Sequence, residues 1–122
     1  MSNLANLSRQ MTDDLPIFID WMKFMDWLVP VADKFPKVAR FTFAQRLTNL
    51  ALDMVEDLVE ARYTKRNSTI LKQANLRLEK LRVILRLSHQ QKYLSHKQYE
   101  FASEALYEIG KQLGGWSKQA HG

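Results

Sequence analysis

Apolar residues recur at intervals of three and four positions along most of this chain, and polar residues fill the positions between them. This spacing places apolar side chains on one face of an α-helix. It predicts four helices, near residues 17–35, 42–63, 69–91 and 95–116. Because the connections between them are short, we expect an all-α, up-down-up-down four-helix bundle over residues 16–119, preceded by a flexible tail over residues 1–15.

Three of the predicted helices begin at residues that suit a helix N-terminus. Serine, threonine or aspartate before the first turn accepts a hydrogen bond from a backbone N–H, and the side chain of a glutamine three residues later accepts one from the backbone N–H of the cap residue. Proline suits the first turn because its missing N–H would have no partner there. The pairs that predict these starts are Asp14 with Pro16, Thr42 with Gln45, and Ser95 with Gln98.

Proline and glycine mark the predicted interruptions. Pro30 falls inside the first apolar pattern, so we expect a kink or a break there, and Pro36 ends that segment. Gly114 and Gly115 lie near the end of the fourth pattern. Since paired glycines are poor helix formers, we expect the last helix to end or fray at this pair.

The second and third predicted helices carry more apolar residues than one bundle core needs. Scattered surface leucines, which are common, would account for the excess. A second packing face would also account for it, and we favour this interpretation because an exposed apolar stripe promotes aggregation. The pattern therefore predicts a homo-oligomer whose interface includes Leu52, Val55, Val59, Leu76, Val83 and Leu87.

Positive charge is concentrated in one part of the chain. The 18 Lys and Arg outnumber the 13 Asp and Glu, and residues 62–92 hold most of the excess, with Glu79 as their one acidic residue. Three interpretations are open: a solvated surface, ion pairs with acidic residues of the second helix, and a surface that binds phosphates. A basic protein favours an anionic partner, and arginine suits both phosphates and stacked bases.

Residue types that catalyse reactions or bind metals are scarce or poorly placed. The chain has no cysteine, no Glu-x-x-His pair of the di-iron bundles and no phosphate-binding glycine loop. We expect no enzyme activity, no metal and no cofactor, and we interpret Trp21, Trp27 and Trp116 as core or interface residues rather than a base-stacking platform. The first residues lack the features of a secretory signal, and the longest apolar run is too short to cross a membrane. The sequence thus predicts a soluble, cytoplasmic protein.

Five groups of residues together carry a family resemblance: Phe35-Pro36-Lys37 with Arg40-Phe41, Gln45-Arg46-Leu47, Leu81-Arg82 with Leu85-Arg86-Leu87, Leu94-Ser95 with Gln98-Tyr99, and Glu108-Ile109-Gly110 with Leu113-Gly114-Gly115-Trp116-x-Lys118. They resemble the accessory variability determinant (Avd) proteins of diversity-generating retroelements. These proteins lie within a wider group of four-helix bundles that includes proteins encoded in intervening sequences of 23S ribosomal RNA genes. The ribosomal branch has an Ala-Glu-Gly-x-x-Arg stretch after the second helix, where this chain has Glu60-Ala61-Arg62 instead.

The resemblance implies a basic bundle that assembles as a five-fold barrel, hence a homopentamer, and has no catalytic site. It also implies binding to nucleic acid and to a reverse transcriptase. With template-repeat RNA, such proteins support error-prone reverse transcription. The function expected from the resemblance is therefore that of a retroelement accessory protein, with RNA as the expected nucleic acid and DNA as a second one. The alternative is a protein-interaction scaffold whose basic face serves oligomer or partner docking.

Basic residues in or beside these phrases, and on the third helix, are the candidates for nucleic-acid contacts. Arg46 shares its helix with acidic residues, so an intramolecular ion pair is an equal alternative for its role. The sequence does not separate contacts with RNA from contacts with the polymerase. The candidates are Arg40, Arg46, Lys72, Arg77, Lys80, Arg82, Arg86, Lys111 and Lys118.

Overall fold

The computed structural model describes residues 15–121, and the regular structure in this part of the chain is helical throughout. The first helix, α1, spans Pro16–Asp33. A short helix, α2, at Lys37–Ala39 leads directly into a π-helical segment at Arg40–Ala44. Three long helices follow, α3 at Gln45–Tyr63, α4 at Ser68–Gln90 and α5 at His96–His121.

The four long helices form a bundle in which each helix is antiparallel to the one before it. The Trp21 indole N–H on α1 donates a hydrogen bond to the Ala51 carbonyl on α3 over 3.1 Å. The Gln112 amide on α5 donates to the Asp20 carboxylate on α1 over 2.7 Å, which closes the bundle on its fourth side. α3 packs against α4, and α4 packs against α5. The predicted helical bundle is therefore confirmed for residues 15–121.

One face of each long helix supplies the core. Trp21 is fully buried, and its ring lies 5.1 Å from the ring of Phe24. Trp27 and Trp116 are partly buried and pack against the same core, as the sequence predicted. On α5 the buried residues keep the spacing of three and four that was predicted for this helix: Ala102, Leu106, Ile109 and Leu113. Each large apolar side chain buried in this way contributes roughly 1.5–3 kcal/mol to stability.

One of the predicted helix starts is confirmed and another is wrong. At the start of α5 the Gln98 N–H donates to the Ser95 hydroxyl over 3.1 Å, and the Ser95 N–H donates to the Gln98 side chain over 2.9 Å. Thr42, by contrast, caps nothing, because the chain is helical from Lys37 onwards and Thr42 lies within the π-helical segment. Asp14 lies outside the described residues, and Leu15 occupies the N-cap of α1, where Pro16 takes the first position.

Both expected interruptions are crossed by helices. α1 continues through Pro30 to Asp33. Pro30 has no N–H to donate to the carbonyl group four residues before it. Because Pro30 is on the exposed side of the helix, this carbonyl group borders on water. The prediction that Gly114 and Gly115 end the last helix is wrong, since α5 runs through both to His121. Leu113 and Trp116, on either side of the pair, pack into or against the core, and this packing outweighs the low helix propensity of glycine.

The π-helical segment allows two alanines to share the buried side of the chain. Ala39 and Ala44 are both buried although they are five residues apart. In an α-helix this separation would turn them about 140° apart. Here the Gln45 N–H donates to the Arg40 carbonyl, five residues back, so the wider turn returns to the same face after about five residues. Phe41, between the alanines, consequently points outward and is 82% exposed.

Candidate nucleic-acid interface

Two stretches of the chain without any Asp or Glu meet at one end of the bundle. They are residues 34–52, which include the connection from α1 to α3, and residues 80–99, which include the connection from α4 to α5. Because consecutive helices are antiparallel, these two connections lie at the same end of the molecule. This basic end comprises residues 34–46 and 86–97, and its exposed cations are Lys34, Lys37, Arg40, Arg46, Arg86, Lys92 and Lys97.

The nine predicted contact residues do not form a single patch. Arg40, Arg46 and Arg86 lie on the basic end and are exposed. Lys80 is exposed farther down α4 and lines a groove of about 400 Å³ together with Arg46. Lys72 and Lys118 are exposed toward the opposite end of the bundle. Among the described residues no acidic group pairs with Arg46, so the ion pair considered for it does not form there.

Arg77 is held in an ion pair between two helices. Its guanidinium on α4 donates to the Asp57 carboxylate over 2.6 Å and to the Asp53 carboxylate over 3.1 Å, both on α3. Asp57 is buried, with 4% of its surface exposed. Burial raises the pKa of Asp57, while the hydrogen bond and the charge of Arg77 oppose this rise. For Arg77 the predicted pairing with acidic residues of the second long helix is therefore present within the protomer.

Arg82 is also bound within the bundle. Its guanidinium donates to the Glu79 carboxylate and, over 3.1 Å, to the Leu106 carbonyl on α5. Gly110 makes room for it, because a Cβ atom at this position would lie 2.6 Å from the Arg82 Nη2 atom. In this arrangement Arg82 joins α4 to α5. The sequence placed it beside Arg86 in one phrase, but only Arg86 is exposed.

Lys111 has two partners on its own helix. Its ammonium lies 3.4 Å from the Glu108 carboxylate and 5.3 Å from the centre of the Tyr107 ring. All three side chains are exposed. Such contacts are weak in water and leave the ammonium accessible.

Two shallow grooves flank the exposed ring of Phe41. One has a volume of about 550 Å³ and includes Gln45, Arg46 and Asn49 in its lining. The other has a volume of about 530 Å³ and includes Arg40, Gln45 and Asn49. Phe41 lines both grooves, so an aromatic ring, two amides and two guanidinium groups share one surface. The sequence pattern does not predict this combination, because Gln45 has the spacing of a capping box with Thr42. The available signal was the position of Phe41 outside the predicted apolar stripe.

The predicted interface residues fall on two separate faces. Leu76, Val83 and Leu87 are exposed on the side of α4 that points away from the core, and Leu76 is 56% exposed; we call this the α4 face. Leu52 and Val59 are also exposed, whereas Val55 is partly buried against the core.

The exposed residues on α3 do not lie on the side that faces α4. Asp53 and Asp57 mark the side of α3 that faces α4, and Leu52 and Val59 lie on the other side of the helix. Two further exposed residues, Met22 and Val29, lie on α1, on the side opposite Asp20, which contacts α5. We call the exposed apolar residues of these two helices, taken together, the α1–α3 face: Met22, Val29, Leu52 and Val59.

The histidines and carboxylates of the described residues do not gather into a metal site. His89 stacks on Tyr99 with ring centres 4.6 Å apart, and His96 lies 5.7 Å from His89. Within residues 15–121 no three metal-ligating side chains form a group. The same part of the chain holds no helix with both the length and the apolar character needed to span a membrane.

Comparison with known proteins gives one match. A family model described as bAvd-like matches residues 17–120, nearly the whole of the described chain. This match confirms the resemblance drawn from the sequence phrases. No curated protein and no solved structure matches the chain.

Proposed function

The chain belongs to the bAvd-like family, and on this premise we propose that it is a non-catalytic accessory protein of a diversity-generating retroelement. In this role it binds template RNA and a reverse transcriptase, and it supports mutagenic reverse transcription. The proposed nucleic-acid contacts are the exposed members of the predicted set, which lie on several sides of the bundle: Arg40, Arg46, Lys72, Lys80, Arg86, Lys111 and Lys118. Arg77 and Arg82 instead hold bundle helices together.

The observation that carries the proposal is the basic end. Residues 34–52 and 80–99 contain no acidic residue, so few carboxylates compete with phosphates for the cations at this end. Asp33, which lines a groove with Arg40, and Glu100, which lies near His96, are at its border. Arg40, Arg46 and Arg86 are exposed there, and guanidinium groups bind phosphate oxygens in pairs. Residues 61–78, which include the connection from α3 to α4 at the other end, also lack acidic residues, so the basic end is distinguished by having two such connections rather than one.

Assembly into a homopentameric ring forms part of the same proposal. The α4 face and the α1–α3 face are different surfaces of one protomer, and contact between unlike faces is head-to-tail. Head-to-tail contacts close into rings when the rotation per subunit allows it. A ring repeats each weak phosphate site several times, so that modest contacts act together.

RNA binding measured across a salt series tests this function. We expect nuclease-treated protein of known oligomeric mass to bind labelled RNA, with log K falling by about 0.7 per phosphate contacted as log salt rises. Replacing Arg40, Arg46 and Arg86 by Gln removes three cations from the basic end, so the slope should shrink by about 2. Fluorescence anisotropy measures both quantities.

A charge-matched control separates a defined surface from total charge. Lys23→Gln combined with Lys65→Gln and Arg66→Gln removes as many cations away from the basic end and should leave the affinity nearly unchanged. Equal weakening by both triple variants would show that net charge alone attracts RNA. If the wild type fails to bind RNA or duplex DNA even at low salt, the interaction scaffold becomes the better account of the basic end.

A further inference from the structure

We propose that Phe41 is a stacking platform for an unpaired nucleobase and that the basic end therefore prefers single-stranded over double-stranded RNA. The inference rests on the proposed function and adds to it a residue and a class of ligand. Phe41 lies within the π-helical segment Arg40–Ala44, and 82% of its surface is exposed. Phe41 is the most exposed large apolar side chain of the described residues, and π-helical turns are frequent at functional sites.

The surroundings of Phe41 match the chemistry of a nucleotide. A base has an aromatic face, polar edges and a phosphate, and single-strand sites meet these with an aromatic ring, hydrogen-bonding groups and cations. Phe41 provides the ring, the amides of Gln45 and Asn49 line both grooves beside it, and the Arg46 and Arg40 guanidinium groups line one groove each. Amide side chains both donate and accept hydrogen bonds, as the edge of a base requires.

Charge argues for an anionic occupant rather than an apolar one. Asp33 is the one acidic residue that lines either groove, and it stands beside Arg40 in the second. The exposed residues next to Phe41 along the chain, Arg40 and Thr42, are polar. Val38 is the one other exposed large apolar side chain in residues 34–46, whereas the α4 face has three.

Duplex RNA cannot use a stacking platform of this kind, because its bases are already stacked and paired. Single-stranded RNA presents free base faces. Phosphate contacts at the basic end are common to both forms, whereas stacking on Phe41 is available to one. Loss of the ring should therefore weaken binding selectively.

The test compares Phe41→Ala with the wild type on two probes, a short labelled oligouridylate and an RNA duplex of equal length at low salt. We expect Phe41→Ala to weaken oligouridylate binding by about tenfold or more and duplex binding by less than about twofold. Phe41→Trp should retain the affinity and add a fluorescence signal that the oligouridylate quenches. Val38→Ala is the matched control, because Val38 is 77% exposed and has no aromatic face.

The outcomes distinguish this inference from the function on which it rests. If Phe41→Ala binds both probes like the wild type while the Arg40→Gln, Arg46→Gln variant loses affinity, RNA binding stands and stacking is overturned. Equal losses by Phe41→Ala and Val38→Ala would also overturn it, since the effect would not need an aromatic ring. Loss of reverse transcriptase binding with unchanged oligouridylate affinity would assign Phe41 to protein docking instead. No RNA binding by the wild type would remove both proposals.

Discussion

Three arginines of this chain show why residue type and spacing do not determine the role of a side chain. Arg77, Arg82 and Arg46 were all candidates for nucleic-acid contacts in the sequence, with an intramolecular ion pair as an equal alternative for Arg46. Packing brings carboxylates to Arg77 and a backbone carbonyl to Arg82, whereas Arg46 faces two open grooves. These partners come from other helices, and their positions depend on how the bundle closes, which a helix pattern does not specify.

Asp57→Asn is expected to change how stability depends on pH. Burial raises the pKa of Asp57, so at intermediate pH the folded protein binds more protons here than the unfolded chain does. The resulting stabilisation is complete below the ordinary pKa of aspartate, about 3.9, and is lost as pH rises through the raised value. Lowering the pH from about 7 to about 4 should therefore stabilise the wild type relative to Asp57→Asn.

Urea unfolding at each pH measures this difference, and Asp26→Asn, at an exposed position on α1, serves as the control. A difference that moved in the opposite direction would show that the attraction of Arg77 outweighs burial. In that case the ion pair, rather than the apolar surroundings, would govern the protonation of Asp57.

Individual helices were the most predictable part of the fold. The spacing of apolar residues located four of them, and the Ser95–Gln98 capping box was found where α5 begins. The errors concern sites where local propensity competes with packing. α5 crosses Gly114 and Gly115, and the helical segment that leads into α3 begins at Lys37, before Thr42. The π-helical segment escaped prediction because its hydrogen bonds follow from the burial of Ala39 and Ala44 rather than from a residue preference.

Two glycines of α5 are expected to respond differently to alanine. A Cβ at Gly114 meets nothing within 4 Å, so Gly114→Ala should stabilise the protein by about 1 kcal/mol through helix propensity alone. Gly110→Ala should gain a similar amount from helix propensity. A Cβ at Gly110 would displace the Arg82 guanidinium, however, and the loss of its hydrogen bond to the Leu106 carbonyl offsets this gain. Unfolding in urea should thus rank Gly114→Ala above Gly110→Ala.

The reverse ranking would mean that Arg82 contributes little to the contact between α4 and α5. Arg82→Ala tested in the Gly110→Ala background resolves the point, since the two changes should not be additive if they act on one contact.

At the scale of the whole molecule, the sequence predicted a basic bundle with surplus apolar surface but not the way these surfaces are arranged. Charge counted along the chain pointed to residues 62–92. The antiparallel topology instead joins two acid-free connections at one end, and it divides the predicted interface residues between two faces. The position of the basic end and the division into two apolar faces both depend on which connections and helices become neighbours in the bundle. Distance along the chain does not specify these neighbours.

Polar substitutions on the α4 face are expected to dissociate the proposed oligomer. Leu76→Gln with Leu87→Gln changes exposed side chains, so the helical content of the protomer should persist while the mass measured by light scattering falls toward that of a monomer. Tyr107→Gln is the control, because Tyr107 is 62% exposed on α5 and belongs to neither apolar face. An unchanged mass in the double variant would exclude the α4 face from the assembly.

The π-helical segment at residues 40–44 also contains one residue more than an α-helical turn would need to bury both Ala39 and Ala44. Deleting one position between Ala39 and Ala44 would bring these alanines to the separation of four at which an ordinary α-helix keeps two residues on one face. α1 and α3 would keep their register, and the change in length would fall on the exposed side, at or beside Phe41. Insertions and deletions there offer a route by which the ligand preference of this end can evolve while the bundle beneath it stays the same.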